Sequence, residues 1–355
     1  MYPSPIYQKR ENGQSVSALG WPKKWPKREN GQNVSVPNWP ETKNEKNIPV
    51  PNWSINKKGE RMQGFIIENI SNLYQIKNDN KVYEATARGK FKKDDITPVV
   101  GDFVQFEIVD EENKKAVITE IEERKVYIKR PKLANITQLI FVLSSKEPKP
   151  DLLMLDKQLA FAEFLNIKSV IILNKIDLDK KHEFAQIENT YRKIGYKVLQ
   201  TNAKEKIGIE ELKKVMQNEV NAFSGNSGVG KSTLINGIFK EDITQEGEIS
   251  KKNKRGKNTT TAIKMYEIEK NTWIADTPGF STFEIGEIDS KDLDKYFKEF
   301  QNELVNCEFI GCTHIKEQNC GIKKAVEEGR IDVGRYERFC KIYEELKEKE
   351  RRKKW

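Results

Sequence analysis

The sequence predicts an α/β fold in three parts. A circularly permuted phosphate-loop domain follows a five-stranded barrel of the oligonucleotide-binding (OB) type and precedes a small helical metal-binding domain. Three observations carry this. Gly225-Asn226-Ser227-Gly228-Val229-Gly230-Lys231-Ser232 matches the GxxxxGK[ST] phosphate loop. Short alternating apolar runs crowd the stretch from Met62 to about Arg130, and Cys307, Cys312, His314 and Cys320 lie within fourteen residues. The expected boundaries are 1–61 for a leader, 62–130 for the barrel, 131–288 for the nucleotide domain and 289–355 for the C-terminal domain.

The chain has 355 residues, enough for two or three domains with a sizeable core. Apolar residues make up 36% and charged residues 33%, and no apolar stretch approaches the roughly 18 residues of a membrane helix. No charged start with an apolar middle marks an export signal, so a cytoplasmic protein away from membranes is expected. Four cysteines are too few for a secreted disulfide scaffold.

The net charge of +9 points to an acidic partner such as nucleic acid. Most of the excess lies in the leader, where eleven Lys/Arg face five Asp/Glu. The leader also holds Trp21, Trp25, Trp39 and Trp53 and repeats KRENGQ and VPNW without any helical or alternating period. Basic residues among aromatics would suit RNA. Low-complexity disorder or a true start at Met62 is the preferred expectation.

The barrel is expected from runs at Gly64 to Asn69, Leu73 to Ile76, Val82 to Arg88, Phe103 to Val109 and Ala116 to Ile121, parted by turn-forming residues such as Asn78 to Asn80. Arg88, Lys90, Lys92 and Lys93 fall between two strands. They serve equally well as an RNA-facing loop or as a solvated one.

The phosphate loop follows the apolar lead-in Val220 to Phe223 and opens an expected helix from Thr233 to Phe239. Its glycines let backbone amides turn toward a β-phosphate, Lys231 reaches β and γ oxygens, and the Ser232 hydroxyl suits Mg²⁺. Downstream, the apolar strand at Trp273 ends in Asp276-Thr277-Pro278-Gly279, a DxxG element in which the aspartate serves Mg²⁺ and the glycine amide senses the γ-phosphate. Between them Thr259, Thr260 and Thr261 offer hydroxyls to the metal in an acid-free stretch from Ile249 to Lys264 that reads as a mobile, phosphate-facing loop. Upstream, Val170 to Leu173 leads into Asn174-Lys175-Ile176-Asp177. The Asp177 carboxylate accepts from the ring N–H and exocyclic amine of guanine, a donor pair that adenine lacks. This NKxD motif precedes the phosphate loop by about fifty residues, with a base-closing loop near Thr201 to Ala203 between them. The domain is therefore a circularly permuted P-loop GTPase domain, joined where chain ends lie close together.

Three thiols and one imidazole at Cys307-x4-Cys312-x-His314-x5-Cys320 complete a closed tetrahedral shell for one structural Zn²⁺. Cys340 lies on an apolar helical stripe with Tyr336, Phe339, Tyr343 and Leu346, so core packing is its expected role.

The barrel, the order NKID, GNSGVGKS, TTT, DTPGF, and the segments CEFIGCTHIKEQNC and RIDVGRYERF together resemble the RsgA family of circularly permuted GTPases, over Met62 to about Leu346. The resemblance implies a cytoplasmic, monomeric GTPase that binds the maturing small (30S) ribosomal subunit and its rRNA. It implies GTP with Mg²⁺ and one Zn²⁺ per chain. Carried over, the nucleotide set is Asn174, Lys175, Ile176, Asp177, Gly225 through Ser232, Thr233, Thr260 and Asp276, with Lys231, Asn258 and Gly279 as catalytic candidates. Two positions depart from the family pattern. Asn258 stands where the family commonly has a histidine proposed to assist hydrolysis, and Asn202-Ala203 stands for Ser-Ala in the base-closing loop. Phe280 after the DxxG element leaves no water-orienting glutamine. An RNA-binding assembly module that holds GTP as a switch with little hydrolysis is the alternative.

Overall fold

The computed structural model describes residues 62–89, 91, 96–242, 263–277 and 287–353. The leader and Lys90, Lys92 and Lys93 lie outside the described residues. Five strands form the barrel: β1 (Met62–Ile70), β2 (Leu73–Asn78), β3 (Lys81–Ala87), β4 (Phe103–Asp110) and β5 (Lys115–Ile121). Each begins and ends within two residues of the run expected from alternation. The order β1-β2-β3-β5-β4 closes through β1–β4 pairing, with Phe65 opposite Phe103. Closure works because one side of every strand is apolar: Tyr74, Ile76, Tyr83, Ala85, Val104, Phe106, Ala116 and Ile118 are buried. Ser71 (φ 53°) and Asn72 (φ 68°) are both left-handed, the two-residue turn geometry that suits strand twist. Arg88 pairs with Glu107 at 2.5 Å, so its charge is already matched.

A hairpin of β6 (Tyr127–Lys129) and β7 (Lys132–Ala134) follows, and the boundary expected at 130/131 falls inside it. Beyond it lies a parallel sheet built from β8 (Gln138–Ser144), β9 (Lys168–Asn174), β10 (Lys197–Thr201), β11 (Val220–Ser224) and β13 (Thr272–Asp276), ordered β10-β9-β8-β11-β13. The strand β12 (Lys264–Glu269) runs antiparallel at its edge and pairs with β1 at Glu68 and Lys264. Along β8, Leu139, Phe141 and Leu143 enter one core while Ile140 and Val142 enter another, so both faces are covered.

On the first face pack α1 (Leu152–Phe164) and α2 (Glu183–Ile194); on the second pack α3 (Ile209–Met216) and α4 (Lys231–Asp242). The Asp151 carboxylate caps α1 by accepting from the Met154 N–H at 2.9 Å, and Asp179 accepts from Glu183 and Phe184 at the start of α2. The helix after the phosphate loop is longer than its apolar run suggested, because Lys231 and Ser232 already belong to its first turn.

The C-terminal part consists of short 3-10 turns at Ser290–Tyr296, Lys298–Phe300 and Leu304–Asn306, then α5 (Gly321–Glu327) and α6 (Val333–Lys353). Phe297, Phe300 and Phe339 form its aromatic centre, with ring centroids 4.8 to 5.2 Å apart. Among the described residues no helix is long and apolar enough to cross a membrane.

Candidate nucleotide site and metal centre

The phosphate loop leaves the C-terminal end of β11, a central strand flanked by β8 and β13, where an open α/β sheet forms a crevice. Two glycines make the turn possible. Gly225 has φ 146°, and a Cβ there would stand 2.3 Å from the Val142 carbonyl oxygen. Gly230 has φ 102°, and a Cβ there would stand 2.2 Å from Asn174 Nδ2. No side chain fits either place.

A cleft of about 630 Å³ opens at this edge. Ser227, Gly228, Gly230, Lys231, Ser232 and Thr233 line it from the phosphate loop and the start of α4. Asn174, Lys175 and Asp177 line it from the end of β9, Asn202, Ala203 and Lys204 from the loop after β10, and Asp276 and Thr277 from the end of β13. Three motifs far apart in sequence thus meet in one space. Ile176 opens a short 3-10 turn beside Asp177 but is not among the lining residues, whereas Gly225, Asn226 and Val229 shape the loop from behind.

Asn174 joins the parts. Its side-chain N–H donates to the Val229 carbonyl at 2.9 Å, and its Oδ1 accepts from Thr201 Oγ1 at 3.0 Å and the Ala203 N–H at 3.2 Å. Being 1% exposed, it has no water to compete for these bonds. Lys175 sits in the left-handed region (φ 61°) and donates from Nζ to the Glu147 carbonyl at 2.8 Å. Asp177 is exposed, and its carboxylate has no side-chain partner among the described residues. Lys231 folds back on its own loop, donating to the Gly225 and Asn226 carbonyls, and burial lowers its pKa from the usual lysine value.

Asn202 answers the question raised by its departure from Ser. Its Oδ1 accepts from the N–H groups of Lys204 and Glu205 at 3.1 and 3.3 Å, and its backbone pairs with Ile207 in both directions. An asparagine side chain closes this turn as a serine hydroxyl would. The hydroxyl of Thr277 is buried without a hydrogen-bond partner among the described residues. Asn258, Thr259, Thr260, Thr261 and Gly279 lie outside the described residues, as does Phe280. Ser232 and Asp276 provide oxygen donors in the same cleft as the phosphate loop, a donor set suited to Mg²⁺ held between protein and phosphate oxygens.

The second centre gathers Cys307, Cys312, His314 and Cys320, whose donor atoms lie within 4.8 Å of one another. Zinc with bonds of about 2.0–2.3 Å in a tetrahedron holds its donors about 3.3–3.8 Å apart. His314 Nδ1 stands 3.6 Å from Cys307 Sγ and 3.3 Å from Cys320 Sγ, so the residues fit the ion. The other ring nitrogen, Nε2, lies 3.3 Å from Asp294 Oδ2, a carboxylate placed to orient the ligand ring. No spacing rule marks Asp294 in the sequence, since it is twenty residues from His314. Burial drives the Cys312 thiol up to about 12, with the neighbouring thiols adding to it. Burial also opposes charge on His314, but the Asp294 and Cys320 contacts hold its pKa at about 10. Glu317 braces the loop by accepting from the Thr313 N–H and hydroxyl and from the Ile315 and Lys316 N–H groups. Cys340 is half-buried on α6 against the aromatic core and is not part of the cluster.

Comparison with known proteins agrees with this arrangement. The model described as RsgA GTPase matches residues 121–286, and the one described as RsgA N-terminal domain matches residues 63–118. A relative from Alkaliphilus metalliredigens, named Small ribosomal subunit biogenesis GTPase RsgA, is 39% identical over 289 residues, which is 81% of this chain and 99% of the relative. One of the same name from Caldanaerobacter subterraneus is 40% identical over 294 residues, 83% of this chain and 99% of the relative. The crystal structure of YjeQ from Thermotoga maritima superposes with a TM-score of 0.70 at 32% identity, covering 81% of this chain and 99% of that one. The structure of YloQ, described as a circularly permuted GTPase, superposes with a TM-score of 0.68 at 28% identity, covering 83% of this chain and 98% of that one. The chain belongs to the RsgA GTPase family.

Proposed function

We propose that the chain binds GTP in the cleft at the end of β11 and hydrolyses it while acting on the small ribosomal subunit in the cytoplasm, as a monomer and away from membranes. The observation that carries this is Asn174, which ties the guanine-reading segment to the phosphate loop by direct hydrogen bonds. The relatives' printed name supplies the small subunit as the partner class.

In this reading Asp177 accepts from both guanine donors, and Asn174 and Lys175 hold the base-reading turn. The backbone amides from Asn226 to Ser232 face the phosphates, with Thr233 in the first turn behind them. Lys231, freed from the Gly225 and Asn226 carbonyls, turns to the β and γ oxygens. Ser232, Thr260 and Asp276 are the residues that would hold Mg²⁺, which when bound neutralises charge on the transferred phosphoryl group. By the DxxG motif, the Gly279 amide is the group that would sense the γ-phosphate, and Asn258 occupies the sequence position of the family's histidine. Neither Asn258 nor Phe280 is a general base, so positioning and electrostatics carry the reaction. Cys307, Cys312, His314 and Cys320 would hold one structural zinc.

Nucleotide competition tests the reading. GTP and GDP should displace a fluorescent guanine nucleotide, whereas ATP should not at a hundredfold excess. Displacement by ATP as effective as by GTP would overturn the guanine assignment.

A further inference from the structure

The segment around Gly334-Arg335-Tyr336-Glu337-Arg338 supplies no ligand to either site, although the Tyr336 hydroxyl donates to the His314 carbonyl at 2.7 Å, and it holds an extensively buried set of charges. Asp156, on α1, is 0% exposed. Its Oδ1 accepts from Arg335 Nη1 and from the Tyr191 hydroxyl, and its Oδ2 accepts from Arg338 Nε, each at 2.5 Å. Arg335 is itself 1% exposed and donates from Nε and Nη2 to Glu299 at 2.6 and 3.1 Å. Its guanidinium also lies over the Phe297 ring, 4.5 Å from the centroid. Two carboxylates and two guanidinium groups thus neutralise one another across α1, α6 and the 3-10 turn at Lys298–Phe300.

Such a network is a poor adhesive, because removing four ions from water offsets most of their attraction. What it favours instead is register, since Asp156 meets both Arg335 and Arg338 where α6 lies on α1. The fixed helix then touches the nucleotide site. Two residues after Asp156, Gln158 points to the other side of α1, and its side-chain N–H donates to the Ser224 hydroxyl at 2.9 Å. Ser224 ends β11, and Gly225 begins the phosphate loop. Met154, Leu155 and Gln158 face Gly225, Asn226 and Val229 across a gap of only about 10 Å³. That space is about the size of one water, so the loop and α1 lie almost in contact.

We propose that the Arg335–Asp156–Arg338 clasp is a positioning device that sets the phosphate loop through α1 and Gln158. A pull on the C-terminal module would shift α1 and change how firmly the loop holds its nucleotide. The metal-centred module, by docking or undocking on its partner, would thereby control guanine-nucleotide release. This inference rests on the proposed guanine-nucleotide reading of the cleft.

The test is the dissociation rate of a fluorescent GDP from the full chain, measured for Arg338→Met, Gln158→Leu and the pair together. Arg338 is the less buried arginine, and Leu fills much of the volume of Gln, so both variants should fold, as checked by retained zinc and cooperative melting. Each single change should speed release roughly 2- to 30-fold, the range of remote coupling effects. The double variant should lie within about twofold of the faster single, since both cut one chain of contacts. Arg338→Lys, which keeps the charge, should restore part of the parental rate. Release unchanged in either single variant, multiplying effects in the pair, or no rescue by lysine overturns the clasp. If the parent itself binds no fluorescent GDP, the nucleotide reading fails and the clasp with it. Failure of the clasp alone leaves parental binding intact.

Discussion

At Asn174 one amide serves the base-reading strand, the phosphate loop and the base-closing turn, and Gly230 lies against it so closely that a methyl group cannot enter. Gly230→Ala should therefore abolish GDP binding and lower the melting temperature, since it combines a clash with a left-handed φ of 102° and strain of about 1–3 kcal/mol. Unaltered GDP binding by this variant would mean that the loop does not adopt this shape. Asp177 is the opposite kind of residue, exposed and unpartnered among the described residues, as expected of a group kept for a ligand. Asp177→Asn should weaken GTP binding by about 1.5–3 kcal/mol while phosphate contacts persist, as titration calorimetry would show. Asn258→His should raise basal turnover if the family's histidine role carries over. These residues were legible because each motif is a local word: four or eight adjacent residues state their chemistry. Asn202 was legible only as a departure, because its compensation lies in two backbone bonds that no motif encodes. Asp156, Asp294 and Arg335 were not legible as partners. Arg335 meets Asp156 from 179 residues away, and only the fold brings them together.

At the scale of elements, alternation foretold the barrel strands because one face of each is dry. The helix α1 was invisible to periodicity for the reverse reason. It carries Leu155, Leu159, Ala160, Phe161 and Ala162 buried between the sheet and α6, so its apolar residues do not form a single stripe. Of the two acids in α1, Asp156 and Glu163, only Asp156 is fully buried, and its cations come from a distant part of the chain. The joint between barrel and sheet rests on Phe65, whose ring lies 5.0 Å from Phe103 and 5.1 Å from Trp273. Lys77 Nζ lies over the same tryptophan at 5.1 Å. Phe65→Ala should cost about 3–5 kcal/mol in denaturant unfolding. A loss below about 1 kcal/mol would mean that the joint is not packed as described. In the metal centre, Cys312→Ser should lose zinc by elemental analysis and loosen the segment from Leu304 to Gly321, whereas Cys340→Ser should keep the metal. Equal zinc content in both variants would contradict the assignment of ligands.

Across the whole molecule, permutation places the strand bearing Asp276 late in the chain, between a barrel and a metal-centred module. The edge strand β12 hands the sheet to β1 of the barrel, and β13 packs Trp273 against it, so movement at the end of β13 has a short path into the barrel. On the other side, α1 is clasped by α6. The nucleotide domain is therefore gripped from two directions by parts that the sequence separates clearly but does not connect. Such a design suits a GTPase whose turnover is set by the particle it binds. The most direct test is single-turnover GTP hydrolysis with and without purified small ribosomal subunits, with co-sedimentation measured on the same samples. Slow hydrolysis by the free chain, large stimulation by small subunits, and GTP-dependent co-sedimentation are the predicted results. A fast basal rate that small subunits leave unchanged, with no co-sedimentation in any nucleotide state, would contradict the central claim.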